Sequence, residues 1–211
     1  IMTISAVNKK KLEEIEGELP RWCIGGVYMP SGGIVNPFKL TIALAENAVQ
    51  NGAIVSLETK AYKMDREDGV IKAVYTNKGK IIPKIVINAA GLGCEKISRM
   101  VYDVDWHLTP RKGEYYLISH DVKNLVNHVI FPLPSEKGKG ILVSPTIAGD
   151  FIVGPSSEPC SSKDDVSTDK MTLDEIKKSA LEMVPSIPFN QVIRTFAGSR
   201  PTPNTHDFII R

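Results

Sequence analysis

The stretch Ile81-Ile82-Pro83-Lys84-Ile85-Val86-Ile87-Asn88-Ala89-Ala90-Gly91 decides the fold of this chain. Its apolar run, rich in β-branched residues, predicts a strand that is buried on both faces, as in a parallel sheet. The run stops at Ala89, Ala90 and Gly91, whose small size lets a ligand or another backbone approach closely. Because ligands of open α/β sheets bind beyond the carboxyl ends of the strands, we expect a nucleotide-type cofactor to contact this point.

A strong helix signal lies before this stretch. Asn36 can cap free N–H groups, Pro37 suits the first helical position, and Gly52 suits a left-handed C-cap. The wide apolar stripe between these ends predicts a helix that is buried against a sheet.

Three strands are predicted after this helix, over residues 53–59, 70–76 and 80–88. Turns at Glu67-Asp68-Gly69 and Asn77-Lys78-Gly79 separate them. Because such short turns force antiparallel pairing, this region is expected to form a β-meander.

The second half of the chain has the pattern of an antiparallel sheet with flanking helices. Short strands are predicted at residues 112–119, 129–132, 140–145, 150–154, 191–197 and 208–210. A capping box, with Thr172 three residues before Glu175, predicts a helix that runs to about Val184. The predicted fold class is therefore mixed, with α/β and α+β parts.

Composition argues against several classes of protein. The chain has 211 residues, a net charge of +2 and few aromatic residues, so we expect no nucleic-acid binding. Cys23, Cys94 and Cys160 lie far apart, so we expect neither a disulfide framework nor a metal site. No apolar stretch reaches membrane-spanning length, so we expect no transmembrane segment and a cytoplasmic location.

Four segments of the chain carry a family pattern in their order and spacing. They lie at residues 30–38, 87–91, 109–115 and 196–201. Together they resemble the D-amino-acid-oxidase-like superfamily of FAD-dependent oxidoreductases. The branch of glycerol-3-phosphate dehydrogenases looks closest, and L-2-hydroxyglutarate oxidases are its neighbours.

The resemblance implies that parts of the chain have different roles. Residues 31–105 would form part of a Rossmann-like FAD-binding domain with a β-meander, and residues 106–197 an antiparallel substrate domain. Residues 1–30 would be a lead-in with an edge strand of the substrate domain, and residues 198–211 would return toward the FAD-binding domain. Such flavoproteins open with a strand and a GxGxxG turn, which this sequence lacks. We therefore expect an internal fragment of a longer flavoprotein that is inactive alone and can lack FAD.

The resemblance also implies a site for a small anionic substrate. Arg200 is expected to hold the acidic end, because an arginine fork matches a carboxylate or phosphate with two parallel hydrogen bonds. A surface arginine or a structural ion pair is the alternative. Arg111 and Lys112 would add positive charge, with a solvated strand entrance as the alternative for Lys112. Ala89, Ala90 and Gly91 would contact the FAD, although tight strand-to-helix packing also requires small residues.

His128 is the predicted proton acceptor. Oxidation of an alcohol by hydride transfer to a flavin requires loss of the hydroxyl proton, and a histidine with a pKa near neutrality suits that task. A hydrogen-bonded structural histidine is the alternative. His206, close to Arg200 in sequence, is a second candidate.

The expected function is FAD-dependent oxidation of a small anionic alcohol, with sn-glycerol 3-phosphate converted to dihydroxyacetone phosphate. An electron-acceptor partner is expected as well. L-2-hydroxyglutarate or an amino acid is the alternative substrate, because one arginine serves phosphate and carboxylate alike. A non-catalytic α+β binding module is the alternative from a different class, and the absence of GxGxxG would favour it if the chain were a complete gene product.

Overall fold

The computed structural model describes residues 3–134 and 140–210. The chain divides into two compact units. The first unit comprises Ile1–Leu40, Lys112–Glu158 and Asp165–Gly198, and the second comprises Thr41–Arg111, Pro159–Asp164 and Ser199–Arg211. The predicted roles of substrate domain and FAD-binding domain stay predictions for these units.

The first unit begins with a small hairpin-like layer. Strand β1 (Ser5–Asn8) pairs antiparallel with β2 (Gly25–Tyr28), and helix α1 (Lys9–Ile15) lies between them in sequence. The side chain of Asn8 accepts a hydrogen bond of 3.0 Å from the N–H of Lys11, so an asparagine N-cap starts this helix.

An antiparallel sheet carries the core of the first unit. Its strand order is β10-β6-β8-β7, and β9 also pairs with β6. The strands are β6 (Leu108–Ile118), β7 (Leu142–Pro145), β8 (Phe151–Gly154), β9 (Glu158–Pro159) and β10 (Val192–Pro203). Helix α4 (Lys170–Met183) contributes Ile176 and Ala180 to a core shared with Ile118, Val143 and Val153. Each buried Ile or Val side chain contributes about 1.5–3 kcal/mol by leaving water. The predicted antiparallel sheet with a flanking helix is thus confirmed.

The start of α4 differs from the prediction. The helix begins at Lys170, and the carboxylate of Asp169, not the hydroxyl of Thr172, caps it by accepting from the N–H of Thr172 at 3.0 Å. The backbone N–H of Asp169 donates to Oε2 of the buried Glu114 at 2.8 Å. This contact with β6 fixes Asp169 at the cap position, which the local capping-box pattern could not reveal.

Several predicted strands have other bounds in the structure. Residues 129–132 contribute only an isolated bridge between Ile130 and Val143. Strand β10 continues to Pro203, well beyond the predicted end at residue 197. Residues 208–210 form no strand. The length of β10 follows from its neighbour β6, which extends over Leu108–Ile118.

The second unit contains the predicted β-meander. Its strands are β3 (Ala61–Glu67), β4 (Val70–Thr76) and β5 (Gly79–Ile81), in that order. Asp68 and Gly69 have φ values of 51° and 81°, as a two-residue hairpin turn requires. The prediction that residues 53–59 form the first strand is wrong, because Ala61–Glu67 takes that place. A short helix, α3 (Cys94–Ser98), follows the Ala89-Ala90-Gly91 turn.

Helix α2 (Pro37–Gln50) has the predicted ends but not the predicted burial. Asn36 accepts from the N–H of Lys39 at 3.0 Å, and Gly52 has a φ of 91°. No residue of this helix is buried, and Phe38 is 79% exposed. Its apolar stripe therefore has no covering layer among the described residues.

The apolar stretch at residues 81–91 also has no covering layer among the described residues. No strand follows β5 in residues 82–90, and Ile85 and Ile87 are 81% and 86% exposed. The prediction of a strand buried on both faces is therefore wrong within residues 3–134 and 140–210. The physical reason is that a strand needs hydrogen-bonded neighbours, and no described segment pairs with this one.

Candidate cofactor and anion site

A cavity of about 560 Å³ lies in the second unit, beside the end of the apolar stretch. One wall contains Asn88, Ala89 and Gly91, and another is formed by the residues that follow Arg200, beginning with Pro201. The volume falls in the range of about 300–1,000 Å³ that small-molecule and cofactor sites occupy. The structure therefore joins two of the four segments that carry the family pattern.

The backbone at this cavity is open to a ligand. Ala89, Ala90 and Gly91 are all exposed. Gly91 has a φ of 54°, a conformation that glycine adopts readily, and a Cβ atom added there would meet no described atom within 4 Å. Tight packing among the described residues therefore does not account for Gly91, and the exposed turn fits the predicted contact with a cofactor.

The start of β6 is held beside this cavity by two polar residues. Asn204 accepts from the N–H of His107 at 3.0 Å and donates its own backbone N–H to the carbonyl of His107 at 3.1 Å. Glu95 of α3 accepts from the N–H of Leu108 at 2.8 Å. That N–H is the main reason why the pKa of Glu95 is lowered, and the Arg99 side chain adds to the effect. Sequence reasoning missed both Asn204 and Glu95, because their partners lie outside the local pattern.

Strands β6 and β10 run antiparallel. At one end, the N–H of Ser119, just after β6, donates to the carbonyl of Gln191, just before β10. At the other end, Asn204, just after β10, bonds His107, just before β6. The end of each strand therefore lies beside the start of the other strand.

The two predicted substrate arginines lie on these neighbouring strands. Arg111 lies four residues after His107, and Arg200 lies four residues before Asn204. Continuing the register of the His107–Asn204 contact would set Arg111 opposite Arg200 within the second unit.

Lys112 differs from both of its predicted roles. Alternation along β6 puts its side chain on the sheet face opposite to that of Arg111. Its Nζ lies 3.1 Å from Oδ2 of Asp165 and 3.4 Å from Oε1 of Glu114, and its side chain is 13% exposed. Asp165 is the main reason why the pKa of Lys112 is raised. Lys112 is therefore a structural ion-pair residue. It is not solvated, and it does not add its positive charge on the sheet face of Arg111.

Replacing Asp165 with Asn should lower the melting temperature at pH 7, and the difference from the wild type should shrink below pH 3.8. Hydrogen bonds from Ser167 and then from Lys112 hold the pKa of Asp165 far below its ordinary value of 3.8. A carboxyl group with a lowered pKa stabilises the fold above its unfolded pKa, and that contribution is lost as the pH falls through the folded pKa. Thermal unfolding from pH 7 to pH 2 measures the effect; a constant difference would contradict it.

His128 belongs to the first unit and is bonded there. Its Nδ1 lies 2.6 Å from Oε1 of Glu16, a carboxylate that is 4% exposed. The N–H of Asn127 donates to both oxygens of the same carboxylate at 3.0 Å, and Tyr28 packs edge-on against the imidazole. These contacts give His128 a structural role, linking the end of α1 to residues 127–128. Its role as proton acceptor stays a prediction.

His206, the second candidate proton acceptor, lines the cavity of the second unit. Its φ is 56°, and its N–H donates to the carbonyl of Pro203 at 3.1 Å, so a tight turn accounts for the backbone conformation. The structure thus places His206 and Gly91 in the lining of one cavity. An acid–base role for His206 remains a prediction.

The fold is similar to that of FAD-bound oxidoreductases of known structure. A family model for "FAD dependent oxidoreductase", abbreviated DAO, matches residues 3–211, and the chain belongs to this family. The predicted family, mixed fold class and class of cofactor are thereby confirmed.

Relatives of known name share most of this chain. It is 38% identical over 204 residues to glycerol 3-phosphate dehydrogenase from Caloramator mitchellensis, covering 97% of this chain and 42% of the relative. The FAD-bound, dithionite-reduced L-alpha-glycerophosphate oxidase from Mycoplasma pneumoniae is 28% identical, with a TM-score of 0.85 over 99% of this chain and 56% of that one. L-2-hydroxyglutarate dehydrogenase from Escherichia coli is 26% identical over 156 residues, or 72% of this chain and 36% of the relative. The chain thus spans about half the length of its first relatives, or less.

The described residues contain neither a membrane-spanning helix nor a cluster of metal ligands. Among residues 3–134 and 140–210, no helix has the length and apolar character needed to cross a bilayer. In the same residues, no group of three or more His, Cys, Asp or Glu side chains is arranged to hold a metal ion.

Proposed function

We propose that this chain is part of an enzyme that oxidises sn-glycerol 3-phosphate to dihydroxyacetone phosphate with FAD as cofactor. The family and the names of the relatives support this substrate class. The observation that supports the proposal is the pairing of the neighbouring strands β6 and β10, which contain Arg111 and Arg200. A phosphate monoester carries up to two negative charges, and two guanidinium groups would balance them better than one.

The residues of this chain would bind and orient the substrate. Arg200, with Arg111, would hold the phosphate, so that the secondary hydroxyl has one defined position relative to the cofactor. FAD would supply the hydride acceptor. Ala89 and Gly91 would contact the cofactor through their backbone, since both are exposed beside the cavity.

Removal of a hydride from the alcohol carbon also requires that the hydroxyl proton leave. His128 and His206 remain the candidate acceptors. His206 is the better placed with respect to Ala89 and Gly91, because all three line one cavity. The carboxylate of Glu16 would fix the ring orientation of His128 if that residue were the acceptor.

The substrate can be tested by following flavin absorbance in the full-length protein under anaerobic conditions. We expect sn-glycerol 3-phosphate to bleach the flavin, and L-2-hydroxyglutarate to do so far more slowly. Rapid bleaching by L-2-hydroxyglutarate alone would assign the alternative substrate. A purified full-length protein that contains no flavin and takes up none would support a non-catalytic module.

The electron-acceptor partner and the cellular location stay proposals. An electron-acceptor partner would reoxidise the reduced flavin, and the cytoplasm is the proposed location. The acceptor can be identified by the dye, quinone or oxygen that restores flavin absorbance after anaerobic reduction.

A further inference from the structure

One side chain holds the end of the apolar stretch to helix α3. The Nδ2 group of Asn88 donates to the carbonyl oxygen of Cys94 at 2.7 Å and to Oγ of Ser98 at 2.9 Å. Its Oδ1 accepts from the N–H of Ala90 at 3.3 Å. Three hydrogen bonds thus converge on a half-buried amide immediately before the Ala89-Ala90-Gly91 turn.

This arrangement is not a helix cap. An N-cap side chain accepts from the free N–H groups of the first helical turn. Asn88 instead donates to a carbonyl and a hydroxyl of α3, Cys94 and Ser98. The bonds therefore serve to fix the turn against the helix rather than to start the helix.

The turn has donors available for a ligand once Asn88 has fixed it. The N–H of Ala90 is used internally by Asn88. In the part of the chain that the structure describes, the N–H groups of Ala89 and Gly91 have no acceptor, and both residues are exposed beside the cavity. A backbone N–H is a strong donor that requires a partner, either water or a ligand oxygen.

We propose that Asn88 is the positioning residue of the cofactor site, holding the Ala89-Ala90-Gly91 backbone so that its free N–H groups can bind an oxygen of FAD. This inference rests on the proposed function. Asn88 acts through the turn and is not itself a catalytic residue. Precise placement of a binding backbone depends on such supporting hydrogen bonds.

The inference can be tested with Asn88→Ala and Asn88→Asp in the full-length protein, stripped of flavin and titrated with FAD. Both variants should weaken FAD binding roughly tenfold, measured by quenching of flavin fluorescence. Asn88→Asp keeps the acceptor for Ala90 but loses the donors to α3. Ser98→Ala, which removes one acceptor and leaves the Asn88 side chain in place, should give a smaller loss.

Asn77→Ala is the matched control. Asn77 accepts from the N–H of Lys60 at 2.7 Å and donates to the carbonyl of Glu58 at 2.9 Å, so it is a bridging asparagine of the same unit outside the cavity wall. It should lower thermal stability but leave FAD affinity unchanged. Equal FAD affinity in wild type and both Asn88 variants, or an equal loss in Asn77→Ala, would overturn the positioning role.

Amide hydrogen exchange in the flavin-free protein gives a second readout. The N–H of Ala90 should exchange faster in Asn88→Ala than in the wild type and should be unaffected in Asn77→Ala. Unchanged exchange at Ala90 would overturn the inference independently of cofactor binding. A wild-type protein that binds no FAD would instead overturn the proposed function, so the two failures are distinguishable.

Discussion

Replacing Arg200 with Ala should raise the KM for sn-glycerol 3-phosphate about a hundredfold in the full-length enzyme. A hydrogen bond to a charged group contributes about 1.5–3 kcal/mol, and a guanidinium group makes two such bonds to a phosphate. Because each 1.4 kcal/mol is about tenfold in affinity, losing about 3 kcal/mol predicts this change. Steady-state kinetics on the substrate and the inhibition constant of inorganic phosphate provide the measurement.

Two further variants make this result specific to the anion site. Arg200→Lys keeps the positive charge but loses the planar fork, so its KM should lie between those of wild type and Arg200→Ala. Arg194→Ala removes another exposed arginine of β10 and should leave the KM near the wild-type value. An unchanged KM in Arg200→Ala, with normal flavin content, would remove Arg200 from the substrate site.

Replacing Gly154 with Ala should lower the free energy of unfolding by about 3 kcal/mol or more. Gly154 ends β8 with a φ of 139°, a conformation that other residues rarely adopt. An added Cβ would lie 2.6 Å from the carbonyl oxygen of Glu114 and 2.9 Å from Cδ1 of Tyr115. Because one of these neighbours is backbone of the central strand β6, relief of the clash requires the sheet to move. Urea unfolding measures the loss.

Gly198→Ala is the control for that experiment. Gly198 lies in β10, where an added Cβ would meet no described atom within 4 Å. Alanine there should cost little or even stabilise, since it reduces the freedom of the unfolded chain. A similar loss in both variants would show that the clash at Gly154 is not the cause.

Local features of the chain were predictable because they depend on neighbouring residues. Asn36 and Gly52 define the ends of α2, and Asp68-Gly69 defines a hairpin turn, through backbone preferences that act over a few positions. Strand β3 (Ala61–Glu67) was missed, because charged residues such as Lys63 and Asp65 conceal its pattern. Its pairing with β4 outweighs its weak local preference.

The candidate site likewise has features that the sequence predicts and features that it does not. Arg111, Arg200 and Gly91 could be chosen from the family resemblance. Gly91 and Pro201, the residue that follows Arg200, line the same cavity. The cap of α4 and the partner of Lys112 could not be chosen, because Glu114 and Asp165 reach their positions only through the packed sheet. Asp165 lies 53 positions from Lys112 in sequence.

The sequence by itself determined the family, the helix ends, the hairpin turns and the small residues at the end of the apolar stretch. Short-range dihedral preferences suffice for the helix ends and turns, and the order and spacing of four short segments suffice for the family. Only the tertiary structure decided that Ile85 and Ile87 are exposed, that Asn88 joins the turn to α3, and that Lys112 pairs with Asp165. Burial and cross-strand register depend on distant segments of the chain, and a local pattern contains no information on which segments will meet.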